Sequence, residues 1–216
     1  HSQSENEKAL EQYAKALDIH REIGNKRFEG ITLLNIANLY QSQGEVEKAL
    51  DHYTQALDIH REIGNKRVEG VTLGNIAIIY QKKGEVEKAL EQYAKALDIH
   101  REIGNKCSEG TTLGNIALVY QCQGENENAL EYYTKALNIA RDIGDKRGEG
   151  ITLGNMATLY QHQGENEKAL ESYSKALNIH REIGNKRVEG VTLGGMATLY
   201  QHQGENEKAL ESYTKA

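Results

Sequence analysis

Apolar residues in this chain fall in short stripes with helical spacing, and the stripes return at a fixed interval. In the segment 65–104 (NKRVEGVTLGNIAIIYQKKGEVEKALEQYAKALDIHREIG), Leu73, Ile76, Ala77 and Tyr80 stand at i, i+3, i+4 and i+7, which puts them on one face of a helix. Ala89, Leu90, Tyr93, Ala96 and Leu97 form a second stripe of the same kind. Between the two, Gly84 can take the left-handed conformation that ends a helix, and Glu85 and Glu87 suit the positive start of the next. The second helix ends at Ile103–Gly104, and Asn105 is suited to cap the helix that follows. The pattern predicts first helices near 26–42, 66–82, 106–122, 146–162 and 186–202. Second helices are predicted near 5–22, 45–62, 85–102, 125–142, 165–182 and 205–216.

The interval is 40 residues. Tyr40, Tyr80, Tyr120, Tyr160 and Tyr200 recur at it, as do Gly44, Gly84, Gly124, Gly164 and Gly204. Tyr13, Tyr53, Tyr93, Tyr133, Tyr173 and Tyr213 do the same in the second helices. The chain therefore divides into a second helix alone (1–24), full copies at 25–64, 65–104, 105–144 and 145–184, and a shortened copy at 185–216. One such hairpin cannot bury its stripe alone. Stacked neighbours make a continuous core, so the expected fold is a single all-α array, an α-α superhelix stabilised at the interfaces between copies. Small residues serve that packing: Ala77, Ala89 and Ala96 let helices approach beside bulky Tyr93.

These residues resemble the tetratricopeptide repeat, whose pattern is W-x2-L-G-x2-Y, then A-x3-F and P. Here it reads Leu73-x2-Ile76-Ala77-x2-Tyr80, then Gly84, Ala89, Tyr93 and Ala96. Leu stands for Trp, Ala for the small Gly and Tyr for Phe, and the closing Pro is missing. The six residues beyond the usual period fall around His100–Asn105, where they should lengthen the helices and replace the proline turn by a Gly-Asn turn. EGVTLGNIAIIYQ followed by GEVEKALEQY is similar to the 40-residue subclass found in Pins/LGN-type adaptors and in bacterial signalling proteins. The resemblance implies a right-handed solenoid that binds an extended peptide in a concave groove lined by the first helices.

Composition narrows the partners. The formal charge of −6 is spread along the 216 residues rather than clustered, which disfavours nucleic acid, whose binding needs a basic stripe. No apolar run approaches the length of a membrane span. The two cysteines, Cys107 and Cys122, fall at opposite ends of one predicted helix. That is roughly 22 Å of helix, and a disulfide needs Cα atoms within about 7 Å. Two unpaired thiols suit a reducing compartment, the cytoplasm.

The sharpest candidate chemistry is a ladder of asparagines, Asn35, Asn75, Asn115 and Asn155, one per first helix and broken by Gly195. Gly74, Gly114 and Gly154 precede three of them. Glycine inside a helix costs roughly 1 kcal/mol relative to alanine, and its repetition suggests a need for close approach. A side-chain amide both donates and accepts, so it can pair with a peptide backbone of any sequence. First helices about 10 Å apart would span about three residues of extended peptide at roughly 3.3 Å each. The same amides can instead bond across helices inside the stack. One turn on, Asn38, Ile78, Leu118, Thr158 and Thr198 vary. So do Ser42, Lys82, Cys122, His162 and His202, just after the constant Gln41, Gln81, Gln121, Gln161 and Gln201. Variation on so regular a background suits either specificity along a groove or a solvated helix end.

His20, His60, His100 and His180 recur once per copy, with Ala140 replacing one. Metal ligands must converge on an ion at about 2 Å, whereas equivalent positions in adjacent copies lie near 10 Å apart, so surface or inter-repeat packing is the better use. No metal site, cofactor site or catalytic constellation is expected. Neither end reads as a polar cap, which suggests a piece of a longer array whose bare ends stack head-to-tail. Two functions follow: a non-enzymatic scaffold holding a protein segment or peptide in its groove, or a structural spacer that self-assembles and binds no groove ligand.

Overall fold

The computed structural model describes the backbone from Ser2 to Lys215, with side chains for residues 5–212 and Thr214. The side chain of Tyr213, last of its series, and Ala216, where the last copy stops, lie outside the described residues. Among the described residues there are eleven helices and no strand: α1 (Ser2–Glu22), α2 (Lys26–Gln43), α3 (Val46–Glu62), α4 (Lys66–Lys82), α5 (Val86–Glu102), α6 (Lys106–Cys122), α7 (Asn126–Asp142), α8 (Lys146–His162), α9 (Asn166–Glu182), α10 (Lys186–His202) and α11 (Asn206–Lys215). The all-α expectation and the alternation of first and second helices hold, with most boundaries within a residue or two of those predicted.

Both kinds of turn use a left-handed glycine. After α3, Gly64 has φ +66°. The amide of Asn65 then donates to the His60 carbonyl at 2.8 Å, closing the helix behind it. The Asn65 side chain accepts from the Val68 amide at 3.4 Å and so opens the helix ahead. This is the expected Gly-Asn turn. After α4, Gly84 has φ +74° and the Glu85 amide donates to the Tyr80 carbonyl at 2.9 Å. Glu85 gives no side-chain cap. It pairs instead with Lys88 at 2.5 Å and Lys83 at 3.3 Å.

The chain forms two compact units, residues 1–105 and 106–216. In the first, α1 to α5 pack in chain order, and the hairpins α2–α3 and α4–α5 make the broadest contacts. In the second, α6 to α11 repeat that scheme, and first helices also touch, α6 with α8 and α8 with α10. The core of each unit is built between copies. Tyr53 of α3 is fully buried with Leu73 and Ile76 of the next copy, and Tyr133 of α7 with Leu153 and Met156. Ala77, Ala89, Ala96, Ala129 and Ala157 have no exposed surface, so each marks a close approach of helices. Fully burying one such large apolar side chain stabilises the stack by about 1.5–3 kcal/mol.

An ionic joint also crosses between copies, built from residues that the periodic pattern does not single out. Glu29 of α2 is held by Arg21 of α1 at 3.1 Å and by Lys26 of its own helix at 3.2 Å. Glu69 meets Arg61 and Lys66 at 3.0 and 3.5 Å, Glu149 meets Arg141 and Lys146 at 2.9 and 3.6 Å, and Glu189 meets Arg181 and Lys186 at 2.9 and 2.8 Å. Burial alone would raise the Glu29 carboxyl, but the bonds to Arg21 and Lys26 outweigh it and hold the group below its ordinary range.

Candidate functional site

The ladder asparagines Asn35, Asn75, Asn115 and Asn155 sit half-buried on their first helices, beside the buried Leu and Ile or Met that face the core. Among the described residues their side chains make no hydrogen bond to the protein. The preceding glycines do not serve close packing: a Cβ built on Gly74, Gly114 or Gly154 meets nothing within 4 Å. That corrects the expectation drawn from their helix cost. The glycines that do require close approach lie four residues earlier. A Cβ on Gly30 would come 2.7 Å from His60 Nε2, and on Gly70 or Gly150 it would come 2.6 Å from Cε1 of His100 or His180.

Three of the recurrent histidines are buried packing groups within their copy, and the fourth packs across a seam between copies. His60, His100 and His180 are buried inside their own hairpins, each ring laid on the glycine of the partner helix. His20 is half-buried and stacks on Phe28 at 5.5 Å. Burial pushes His60 and His180 below the ordinary histidine range, and polar contact with the backbones of Gly30 and Gly150, outside hydrogen-bond geometry, only partly offsets it. Among the described residues no three His, Cys, Asp or Glu side chains gather in a way that would hold a metal ion.

The constant glutamines have an internal partner that periodicity could not reveal. The Tyr133 hydroxyl donates to Gln121 Oε1 at 2.7 Å, Tyr173 to Gln161 at 3.1 Å and Tyr93 to Gln81 at 3.4 Å. Tyr53 lies 2.5 Å from both Gln41 Oε1 and Asn38 Oδ1. A hydroxyl has one proton, so one of these two amides turns its NH2 to the phenol oxygen. Burial pushes the Tyr53 and Tyr93 hydroxyls up to about 12, so they act as neutral donors. Asn38 is thus tied to the core of its own copy, and Thr158, in the equivalent place, meets Tyr173 at 3.1 Å.

Three cavities collect the remaining candidates. The first, of about 150 Å³, lies between α6 and α8 over α7, with Asn115 and Asn155 in its lining. The second, of about 370 Å³, lies between α8 and α10 over α9; its lining takes in Asn155, Gln161, His162, His180 and Gly195, which replaces the ladder asparagine. Ile151 and Asn155 belong to both, so the two cavities adjoin along the second unit. The missing amide is filled from below: a Cβ on Gly195 would lie 2.8 Å from the Tyr173 ring. In the first unit a cavity of about 300 Å³ joins Asn35, Asn38 and Ser42 to Ala9 and Tyr13 of α1. Asn75, Gln41, Gln81, Gln121, Lys82 and His202 line none of these three; Lys82 and His202 stand exposed at helix ends. Cys107 and Cys122 are free and exposed at the two ends of α6. No helix among the described residues is long and apolar enough to cross a membrane.

A family model described as Tetratricopeptide repeat matches residues 1–62, 68–144 and 148–216. No curated protein matches the chain in sequence. Among solved structures it is similar to BtubC (BKLC) from P. vanneervenii, with a TM-score of 0.84 and 20% identity over 97% of this chain and 89% of that one. It is also similar to a Signal Transduction ATPase with Numerous Domains from Pyrococcus horikoshii that carries a tetratricopeptide repeat sensor: TM-score 0.77, 24% identity, 92% of this chain and 32% of that one. Aspartyl phosphate phosphatase F from Bacillus subtilis gives a TM-score of 0.77 at 15% identity, over 99% of this chain and 66% of that one. At these identities the likeness is one of fold.

Proposed function

Because the chain belongs to the tetratricopeptide repeat family, we propose that it is a protein-interaction scaffold, not a catalyst, and that the depression along α6, α8 and α10 holds an extended peptide. The observation that carries this reading is the state of the ladder amides. They are half-exposed and unbonded to the protein, and two of them line the cavities between first helices. An unspent primary amide in a mostly apolar depression matches the alternating N–H and C=O groups of a peptide backbone. The glycines beside the ladder leave room for that backbone. The charged residues lining the first cavity are already engaged, Lys106 on Glu109 at 2.7 Å and Asp145 on the Gly148 amide at 2.9 Å, so the reading favours a neutral segment over one gripped by its terminal carboxylate.

The test is a selection of unstructured peptides on the immobilised protein, followed by titration of the enriched peptides against Asn115→Ala/Asn155→Ala. Each lost amide removes about 1 kcal/mol or more of net hydrogen bonding, so affinity should fall about tenfold or more. Equal affinity of the double variant for the enriched peptides would sink the ladder as a backbone clamp.

A further inference from the structure

We propose that the cavity beside Ala140 is a receptor for a single apolar side chain of the bound peptide, a Leu- or Phe-sized anchor that fixes its register; this rests on the groove reading above.

The cavity lies where one copy departs from the others. In three hairpins a histidine ring covers the glycine of the partner helix: His60 on Gly30, His100 on Gly70 and His180 on Gly150. In the α6–α7 hairpin the histidine is replaced by Ala140, yet Gly110 is kept. The nearest groups to a Cβ there would be Ile139 at 3.3 Å and the Ala136 carbonyl at 3.8 Å. Gly148 of α8, where other copies carry Phe28, Val68, Ser108 and Val188, belongs to the same lining. Without the ring, Ala140 lines a space of about 150 Å³, while at Gly148 the Asp145 carboxylate stands where a side chain would go, 2.5 Å from a Cβ built there. Neighbouring groups register the loss. Ile139 is half-buried, whereas Ile59, Ile99 and Ile179 are buried at 8% exposure. Leu118 and Ile151, each 39% exposed, stand at the mouth.

What remains is an apolar recess with an amide rim. The two charged residues of the lining are spent: Lys106 on Glu109 at 2.7 Å, and Asp145 on the Gly148 amide at 2.9 Å as the cap of α8. The walls are Leu118, Ala136, Ile139 and Ile151, and Asn115 and Asn155 belong to the same lining. A mostly apolar space of this size has room for a benzene-sized group. The amides are placed to hold the backbone that carries it. An ionised side chain would find no partner there and would be rejected by the cost of its own desolvation.

Toluene is the probe for the recess, read by methyl NMR of the full chain. Saturable shifts of the Leu118, Ile139 and Ile151 methyls are expected. They should vanish in Ala140→His, which installs the residue present at 60, 100 and 180, and in Ala140→Leu, which fills the space without a polar atom; circular dichroism checks that each variant keeps its helices. Absence of saturable shifts in the unaltered chain, or equal toluene binding by both filled variants, overturns the recess. The occupant is tested separately with the selected peptides. One apolar residue should dominate, its change to alanine should weaken binding at least about tenfold, and combining that change with Ala140→His should add nothing further. Peptides that depend on Asn115 and Asn155 but ignore Ala140→His would leave the groove standing and refute the anchor. Toluene binding with no peptide selected would refute the peptide occupant through failure of the groove reading.

Discussion

Two glycines one turn apart on α8 should respond to the same substitution with opposite sign. Alanine at Gly154 enters open space and removes the conformational cost of glycine inside a helix, a gain of about 1 kcal/mol. Alanine at Gly150 makes the same local gain, but its Cβ would lie 2.6 Å from His180 Cε1 and 3.1 Å from both ring nitrogens. His180 has no exposed surface, so its ring has little room to retreat. Overpacking of this kind costs about 1–3 kcal/mol, and the enclosure of His180 places it in the upper part of that range, for a net loss of about 1–2 kcal/mol. The two variants should therefore differ by about 2–3 kcal/mol, or about 5–10 °C in Tm for a chain of this length. Repeat arrays do not unfold in one step, but both positions lie on one helix and report on the same segment. Circular dichroism melts and urea titrations of the two variants decide the matter. Gly110→Ala, where only Ile139 must yield, should fall between them. The reasoning is refuted if Gly150→Ala raises the midpoint as Gly154→Ala does, or if adding His180→Ala to Gly150→Ala gives no relief.

Lowering the pH from 7.5 to 5.5 should reduce the urea midpoint. His60 and His180 have folded pKa values below their unfolded value of about 6.5, so the unfolded chain takes up protons first and stability is lost as pH falls through that value. Glu29 and Glu189, held low by their cations, lose their contribution only further down, below the ordinary carboxylate range; a flat midpoint between 7.5 and 5.5 would deny the histidine effect. Tyr133→Phe should cost about 1 kcal/mol by denying Gln121 its donor, seen as a lower melting midpoint with unchanged helix content. Asp145→Ala should cost about 1 kcal/mol through loss of the α8 cap, with increased hydrogen exchange at the Gly148 amide, which the Asp145 carboxylate accepts from at 2.9 Å.

Helix positions, turn glycines and the apolar stripes were legible because each follows from local spacing: Gly64 and Gly84 take positive φ, and Ala77, Tyr93 and Leu73 are buried. Roles that depend on what lies across the hairpin were not. In so regular a repeat only one substitution, Leu34, separates the position of Gly74, which seats nothing, from that of Gly70, which seats a ring. Nor could constancy show that Gln121 and Gln161 serve buried phenols before they serve any ligand. The informative positions proved to be the exceptions. Ala140, where other copies carry histidine, lines the recess between α6 and α8, and at Gly195 the Tyr173 ring takes the place of the ladder amide. The Glu29 and Glu69 joints escaped notice because their arginine lies eight residues earlier, beyond the three- and four-residue spacing by which ion pairs are sought on one helix.

The joint has a consequence for how long such a chain can be. At Arg21–Glu29, Arg61–Glu69, Arg141–Glu149 and Arg181–Glu189 the same two side chains meet across the seam, so each copy presents its neighbour with an identical plug and socket. Excising or duplicating one 40-residue cassette leaves matched connectors on both sides, wherever within the cassette the cut falls. Length is then a freely adjustable parameter of the architecture, whereas the copy carrying Ala140 must keep its place in the order, since moving it would shift the recess along the array.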